Sequence, residues 1–199
     1  MSVTEQKRTL RAALLATRSA LEPEQVALAS RQVCALVAAR PAFANARRVA
    51  LYSALAGEID LSPLAEQLRA RGDRAFYPRI ERRDPPLLAF HQVDDAKSLL
   101  LSPWGIPTPP QDAPCIALEE LELFVVPGLG FDRRGGRLGF GKGFYDATLA
   151  LAARAPRIGV CHPFQLLDQV PLRPEDEPMD LVVTPALFLV TAARPFVKL

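Results

Sequence analysis

The chain has 199 residues, of which 49% are hydrophobic and 23% charged, the balance of a globular protein with a sizeable core. Its formal net charge is only +2, with Lys and Arg spread along the sequence. This distribution argues against nucleic acid as the main partner, because phosphate-tracking surfaces need clustered positive charge. No apolar run approaches the length of about 18 residues that a membrane span needs, so we expect no membrane partner.

The cysteines indicate a reducing environment. Cys34, Cys115 and Cys161 are far apart and form no CxxC pair, and the chain has only two histidines, so a structural zinc site is disfavoured.

The N-terminal segment is too charged for the apolar core of a signal peptide. We therefore expect a cytoplasmic monomer. With no internal repeat and no linker-like segment, residues 1–199 are predicted to form a single domain.

The first 40 residues are predicted to form two helices. In the first helix, Lys7, Arg11 and Arg18 follow spacings of four and seven residues and line one face. A break at Pro23 separates it from the second helix, which ends before Pro41.

From residue 49 onward, strand-like and helix-like segments alternate. Helices are predicted over 61–72 and from Gly143 to Arg154, and the segment from Pro103 to Pro114 is irregular. Strands are predicted over residues 49–55, 74–80, 87–93, 121–129, 157–162 and 181–190, the second and third as a hairpin.

This alternation predicts an α/β fold: a three-layer, Rossmann-like open sheet, mostly parallel, with helices on both faces. Ligands of such sheets bind beyond the carboxyl ends of the strands. The loops 53–58 and 128–146 should lie at that edge.

The second of these loops has the composition of an anion site. Seven of the eleven glycines fall between Gly128 and Gly143, and glycine lets backbone N–H groups approach a ligand closely. The following helix adds the partial positive charge of its N-terminus. Side-chain charge comes from Arg133, Arg134, Arg137 and Lys142. Together these features predict a phosphate-binding loop, against the alternative of a flexible surface loop.

Residues 136–142 match the P-loop pattern GxxxxGK as far as Lys142. Position 143 is glycine, so the Ser or Thr hydroxyl that would bind magnesium is missing. We therefore expect phosphate binding without a P-loop fold. By their sequence positions alone, Asp146 is expected to pair with Lys142 and Asp180 to be a turn residue.

The string FVVPGLGFDRRGGRLGFGKGFYD (124–146) resembles the signature of the 5-formyltetrahydrofolate cyclo-ligase family, also called 5,10-methenyltetrahydrofolate synthetases. Other pieces follow in the family's order, so that the resemblance covers nearly the whole chain. They are the K-x-x-x-R of Lys7 and Arg11, then Gly57-Glu58-Ile59-Asp60, Tyr77-Pro78-Arg79, Trp104-Gly105-Ile106-Pro107, Ile158-Gly159-Val160, and Asp180 before VVT.

The resemblance implies an enzyme. It would convert 5-formyltetrahydrofolate, with or without a polyglutamate tail, to 5,10-methenyltetrahydrofolate, with ATP as co-substrate and Mg2+ as cofactor. The formyl oxygen would take the γ-phosphoryl group, nitrogen 10 of the folate would attack the activated carbon, and ADP and phosphate would be released.

The resemblance also implies site residues. Lys142 would be catalytic, and Asp146 and Asp180 would hold the metal. ATP would be bound by Lys7, Arg11, Arg137, Leu138, Gly139, Phe140, Gly141, Lys142, Gly143, Phe144 and Tyr145. The folate would be bound by Ser53, Glu58, Trp104, Phe140, Gly141, Lys142, Gly143 and Phe144.

Two positions depart from the family pattern, and both are on the folate side. Ser53 stands where the family usually has a large apolar residue, and Phe140 where many members have a polar, basic or tyrosyl one. They leave room for another ATP-dependent kinase or ligase that uses the same loop. A second alternative, a binding module that has lost the chemistry, is disfavoured because Lys142, Asp146 and Glu58 are all present.

Overall fold

A computed structural model of the chain describes residues 1–103, 105–191 and 193–194. Trp104, a predicted folate contact, lies outside the described residues. Within them, no helix has both the length and the apolar character needed to cross a membrane.

The two predicted N-terminal helices are confirmed. The first begins at a capping box, in which Ser2 Oγ accepts a hydrogen bond from Glu5 N and the Glu5 carboxylate accepts one from Ser2 N. The α-helices are α1 (Val3–Ser19), α2 (Pro23–Ala38), α3 (Pro41–Ala44), α4 (Ser62–Ala70) and α5 (Phe144–Leu151). Short 3-10 helices cover Ala96–Ser98, Leu118–Glu120 and Pro163–Gln165.

The strands build one large sheet and two small ones. They are β1 (Arg48–Ala50), β2 (Arg74–Arg83), β3 (Pro86–Gln92), β4 (Leu100–Leu101), β5 (Pro107–Thr108), β6 (Cys115–Ile116), β7 (Leu123–Val126), β8 (Gly130–Asp132), β9 (Arg137–Leu138), β10 (Arg157–Val160), β11 (Leu166–Leu167), β12 (Leu181–Thr184) and β13 (Leu187–Val190). The eight-stranded sheet has the order β13-β12-β10-β7-β1-β2-β3-β6, and the small sheets are β11-β8-β9 and β4-β5.

The predicted fold class is confirmed, because the five central strands from β12 to β2 are parallel and only the outer strands β13, β3 and β6 run antiparallel. Alternate residues along the central strands face opposite sides. Val49, Leu123 and Ile158 join a core under α2 and α4, whereas Ala50 and Phe124 join a core that includes residues of α5.

The C-terminal prediction of a single strand over 181–190 is wrong. The segment is a hairpin, in which β12 and β13 pair antiparallel with Thr184 opposite Leu187. Pro185 follows β12 directly and has no backbone N–H to donate to a sheet, so the chain turns there.

The small sheet of β8, β9 and β11 was not predicted. Its Phe131 ring packs so closely on β10 that a Cβ at Gly159 would lie 2.4 Å from a ring carbon. Leu14 of α1 packs with Leu129 and Leu138 in a separate apolar cluster. The small sheet therefore supports α1 where this helix crosses the loops that follow β1 and β7, which are neighbouring strands of the large sheet.

The buried side chain of Asp132 organises the turn between β8 and β9. Its Oδ1 accepts hydrogen bonds from the N–H groups of Arg134 and Gly136, each at 2.9 Å, and its Oδ2 accepts one from Val170 N at 2.9 Å. The first glycines of the glycine-rich segment therefore shape a hairpin, and Arg133 and Arg134 stand on its turn.

We expect Asp132→Ala to lower the free energy of unfolding by about 3 kcal/mol, because two buried amide donors and a part-buried one lose a charged acceptor. Urea denaturation measures this change, with the exposed Asp168→Ala as the matched control. A loss no larger than that of the control would show that Asp132 does not hold the hairpin.

Candidate active site

One face of α1 contacts both loops at the carboxyl edge of the sheet. Lys7 Nζ forms an ion pair with Asp176, Arg11 Nε donates to Gly139 O at 2.8 Å, and Arg18 Nη1 donates to Glu58 Oε1 at 2.8 Å. At a rise of 1.5 Å per residue, the backbone positions of these three residues span about 16.5 Å along the helix axis. The helix therefore aligns the predicted ATP residues with the predicted folate acid.

Residues 139–143, which we call the phosphate loop, present free donors. Among the described residues, no acceptor is bonded to the N–H groups of residues 140–143, and Gly143 caps α5 without a side-chain hydrogen bond. Gly141 has φ +92°, and a Cβ there would lie 2.9 Å from Arg11 Cζ. Free amides, an uncapped helix N-terminus and a nearby guanidinium are the elements of an anion site.

Lys142 extends from the phosphate loop into solvent. Its side chain is exposed, and within the described part of the chain it forms no ion pair with Asp146. Asp146 pairs with Arg137 instead: Arg137 Nη2 donates to Asp146 Oδ1 at 2.6 Å. Lys142 is thus available to a ligand, whereas the buried Arg137 holds the loop to α5.

The other predicted ATP residues of this segment differ in exposure. Leu138 is fully buried in the α1 cluster, so only its backbone could meet a ligand. Phe144 is half-buried at the start of α5. The Tyr145 hydroxyl is buried without a hydrogen-bond partner among the described residues, and burial raises the pKa of this phenol.

Glu58 is a buried residue in the loop that follows β1. Its Oε2 accepts a hydrogen bond from Leu55 N at 3.0 Å, and its Oε1 pairs with Arg18. Burial raises the pKa of Glu58, although the Leu55 amide and the Arg18 guanidinium oppose this shift. His162 Nε2 bonds the carbonyl of Gly57 at 3.0 Å, which holds the turn from the side of β10.

A cleft of about 380 Å³ opens beside Glu58. Ser53, Tyr52 and Tyr77 line it together with Leu99 and Pro107. Ser53 Oγ is buried and has no described hydrogen-bond partner. The cleft thus combines apolar walls with a few polar groups, of which the Ser53 hydroxyl is unsatisfied among the described residues, as is typical of small-molecule sites.

The two predicted metal ligands lie in different surroundings. Asp146 is partly exposed near the start of α5, and its Oδ1 also accepts from Glu177 N at 3.2 Å. Asp180 is buried at the amino-terminal end of β12, the edge opposite to the loops. Its Oδ2 accepts from Arg157 N at 2.7 Å and Arg194 Nη1 at 2.9 Å, and burial raises its pKa.

Unlike Asp180, Asp176 lies near the predicted site residues Lys7 and Asp146. It pairs with Lys7, and the next residue along the chain donates its amide to Asp146. The contacts of Asp180 suit a structural acid, although its Oδ1 has no described partner. The metal prediction for Asp180 stays untested, and Asp176 is the better-placed partner of Asp146.

Sequence reasoning missed Arg18 and Asp176 as site residues. A signal existed for Arg18, because it lies on the same helix face as Lys7 and Arg11. Asp176 carried no such signal, since it lies in an irregular acidic segment and its partner is 169 residues away.

Comparisons with known proteins identify the family. The model of the 5-formyltetrahydrofolate cyclo-ligase family matches residues 3–185. The chain is 32% identical over 172 residues to the 5-formyltetrahydrofolate cyclo-ligase of Escherichia coli (strain K12), covering 85% of this chain and 94% of that protein.

Solved structures give the same result. The 5,10-methenyltetrahydrofolate synthetase of Aquifex aeolicus superposes with a TM-score of 0.80 and 30% identity, covering 94% of this chain and 93% of that one. The Mycoplasma pneumoniae synthetase gives a TM-score of 0.73 and 26% identity, covering 90% and 98%. The chain therefore belongs to the 5-formyltetrahydrofolate cyclo-ligase family, a family of ligase enzymes.

Proposed function

We propose that this chain catalyses the ATP- and Mg2+-dependent cyclisation of 5-formyltetrahydrofolate to 5,10-methenyltetrahydrofolate, with release of ADP and phosphate. The observation that carries the proposal is the face of α1, where Arg11 contacts the phosphate loop and Arg18 pairs with Glu58. One rigid helix thereby aligns a site for phosphates with a cleft for a small molecule.

The chemistry requires activation of an amide. The formyl oxygen is a poor leaving group until it carries the γ-phosphoryl group, and then phosphate can leave as nitrogen 10 closes the ring. Phosphoryl transfer asks a protein mainly for positioning and charge neutralisation. A loop of free amides beside Lys142 and Arg11 suits both tasks.

On the nucleotide side, the amides of residues 140–143 and the N-terminus of α5 would bind phosphate oxygens. Lys142 is exposed and unpaired within the described residues, so it can reach the phosphoryl group in transfer. Lys7 would also contact a phosphate, either in place of its pair with Asp176 or while keeping that pair.

On the folate side, the Glu58 carboxylate would accept hydrogen bonds from N–H groups of the pterin. Ser53 lines the same cleft with a buried hydroxyl that has no described partner. The exposed ring of Phe140 and the half-buried ring of Phe144 offer flat surface to the substrate. Trp104 stays a predicted contact.

Asp146 and Asp176 are the carboxylates that we propose for magnesium. Within the described chain, no group of three or more His, Cys, Asp or Glu side chains forms a metal cage. This fits Mg2+, which is usually held by one or two carboxylates together with waters and substrate phosphates. When bound, the ion would neutralise phosphate charge.

The cytoplasmic location, the monomeric state, the single domain and the absence of nucleic-acid binding stay predictions. Acceptance of polyglutamylated folate is likewise part of the proposal.

The proposed reaction is tested by mixing the protein with Mg2+, ATP and 5-formyltetrahydrofolate and recording the near-ultraviolet absorbance of the methenyl product. We expect an ATP-dependent rise, with one ADP formed per product. No rise at high enzyme concentration would refute the proposed function. ADP formation without the methenyl product would favour a different ATP-dependent enzyme.

We expect Lys142→Ala to lower kcat by roughly 100-fold or more, because it removes charge stabilisation from the phosphoryl group in transfer. The melting temperature should not change, since the side chain is exposed. The exposed Arg133→Ala on the β8–β9 turn is the control and should keep wild-type kcat. Normal turnover in Lys142→Ala would show that this lysine has no catalytic role.

Asp176→Asn and Asp180→Asn separate the two acids. We expect Asp176→Asn to raise the Mg2+ concentration for half-maximal activity by about tenfold or more, because a hard cation loses a carboxylate ligand. Asp180→Asn should lower the melting temperature and leave the Mg2+ requirement unchanged, because it disturbs a buried pair with Arg194. The reverse pattern would assign the metal to Asp180.

A further inference from the structure

The ion pair between Arg18 and Glu58 is a buried contact that joins α1 to the loop after β1. The Nη1–Oε1 distance is 2.8 Å, and each side chain is only 7% exposed. A buried pair of this kind holds its geometry, because separating the charges would leave each without a partner in a low-dielectric environment.

Two further contacts hold the Arg18 side chain in place. Its guanidinium carbon lies 5.4 Å from the centre of the Phe140 ring, within the range of a cation–π contact. Its aliphatic part lies against Gly57, where a Cβ would come within 2.9 Å of Arg18 Cγ. Arg18 therefore lies between the phosphate loop, through Phe140, and the turn that carries Glu58.

The charge of Arg18 matters for what Glu58 can bind. An ionised carboxylate accepts hydrogen bonds with both oxygens, whereas a protonated one donates from one of them. Glu58 is surrounded by Tyr52 after β1 and Tyr145 of α5, which are neutral at physiological pH, and His162 after β10 bonds the adjacent carbonyl of Gly57. Among these neighbours, Arg18 is the group that brings a positive charge into contact with Glu58.

We propose that Arg18 is a positioning residue, which holds Glu58 as a hydrogen-bond acceptor for the folate ring and connects it to Phe140 of the phosphate loop. This role rests on the proposed function, and it makes folate binding by Glu58 depend on Arg18. Arg18 itself need not touch either substrate.

A double-mutant cycle tests this role, with the KM for each substrate as the readout. We expect Arg18→Met to raise the KM for 5-formyltetrahydrofolate by about tenfold or more, and to change the KM for ATP by less than about threefold. In a Glu58→Gln background, Arg18→Met should change the folate KM by less than about threefold, because the acid on which Arg18 acts is gone. Arg8→Met, an exposed position on the same helix, is the control and should match the wild type.

The pH dependence gives an independent readout. Without Arg18, the pKa of Glu58 would be higher because the guanidinium no longer opposes the effect of burial, so the ionised form would need a higher pH. The folate KM of Arg18→Met should therefore fall as pH rises, over a range in which the wild-type KM is nearly constant. A residue that only stabilised the fold would not shift this profile.

An unchanged folate KM in Arg18→Met, or equal effects of Arg18→Met with and without Glu58→Gln, would overturn the inference. If Arg18→Met does not fold, Arg18→Lys replaces it in the same cycle, because lysine keeps the charge but loses the planar guanidinium. The cycle requires an active wild type. An inactive wild type refutes the proposed function, whereas an active wild type with an additive cycle refutes only the role of Arg18.

Discussion

The cationic face of α1 is the constraint on which the site depends. Lys7, Arg11 and Arg18 each find a partner in a different segment of the chain: Asp176, Gly139 and Glu58. Lys7, Arg18 and Glu58 are buried, and a buried charge is costly unless it is paired. The three contacts form together only if α1 lies in one position across the carboxyl edge of the sheet. The helix thereby sets the spacing between the phosphate loop and the cleft beside Glu58.

The glycine-rich segment serves two separate purposes. Its first part forms the β8–β9 hairpin, in which Asp132 binds three backbone amides and Phe131 packs against Gly159. In its second part, the amides of residues 140–143 have no acceptor in the described part of the chain, and α5 begins without a side-chain cap. Leu14 of α1 packs against Leu138 of this hairpin, and Arg11 donates to the carbonyl of Gly139 beside the free amides. The first part of this run of glycines thus stabilises the fold, and we propose that the second part binds phosphate.

Much of the fold could be predicted because its signals are local. Alternating strands and helices predicted the mostly parallel sheet, and the buried run 121–129 predicted its central strand. The small sheet of β8, β9 and β11 could not be predicted, since its strands are two or three residues long and have no periodicity.

Among the site residues, the loops 53–58 and 128–146 could be placed by the rule for parallel sheets. The pairs Arg18–Glu58 and Lys7–Asp176 could not, because they join residues 40 and 169 positions apart. Arg137 and Lys142 look equivalent in sequence, and only tertiary packing buries the first and exposes the second.

We propose that α1 aligns phosphates on the phosphate loop with a folate ring on Glu58, and a crystal structure with a non-hydrolysable ATP analogue and 5-formyltetrahydrofolate is the decisive experiment. We expect phosphate oxygens within hydrogen-bond distance of the amides of residues 140–143 and of Lys142. We also expect a pterin N–H to donate to the Glu58 carboxylate while Arg18 keeps its ion pair. Phosphates bound away from this loop, or a pterin without contact to Glu58, would refute this alignment.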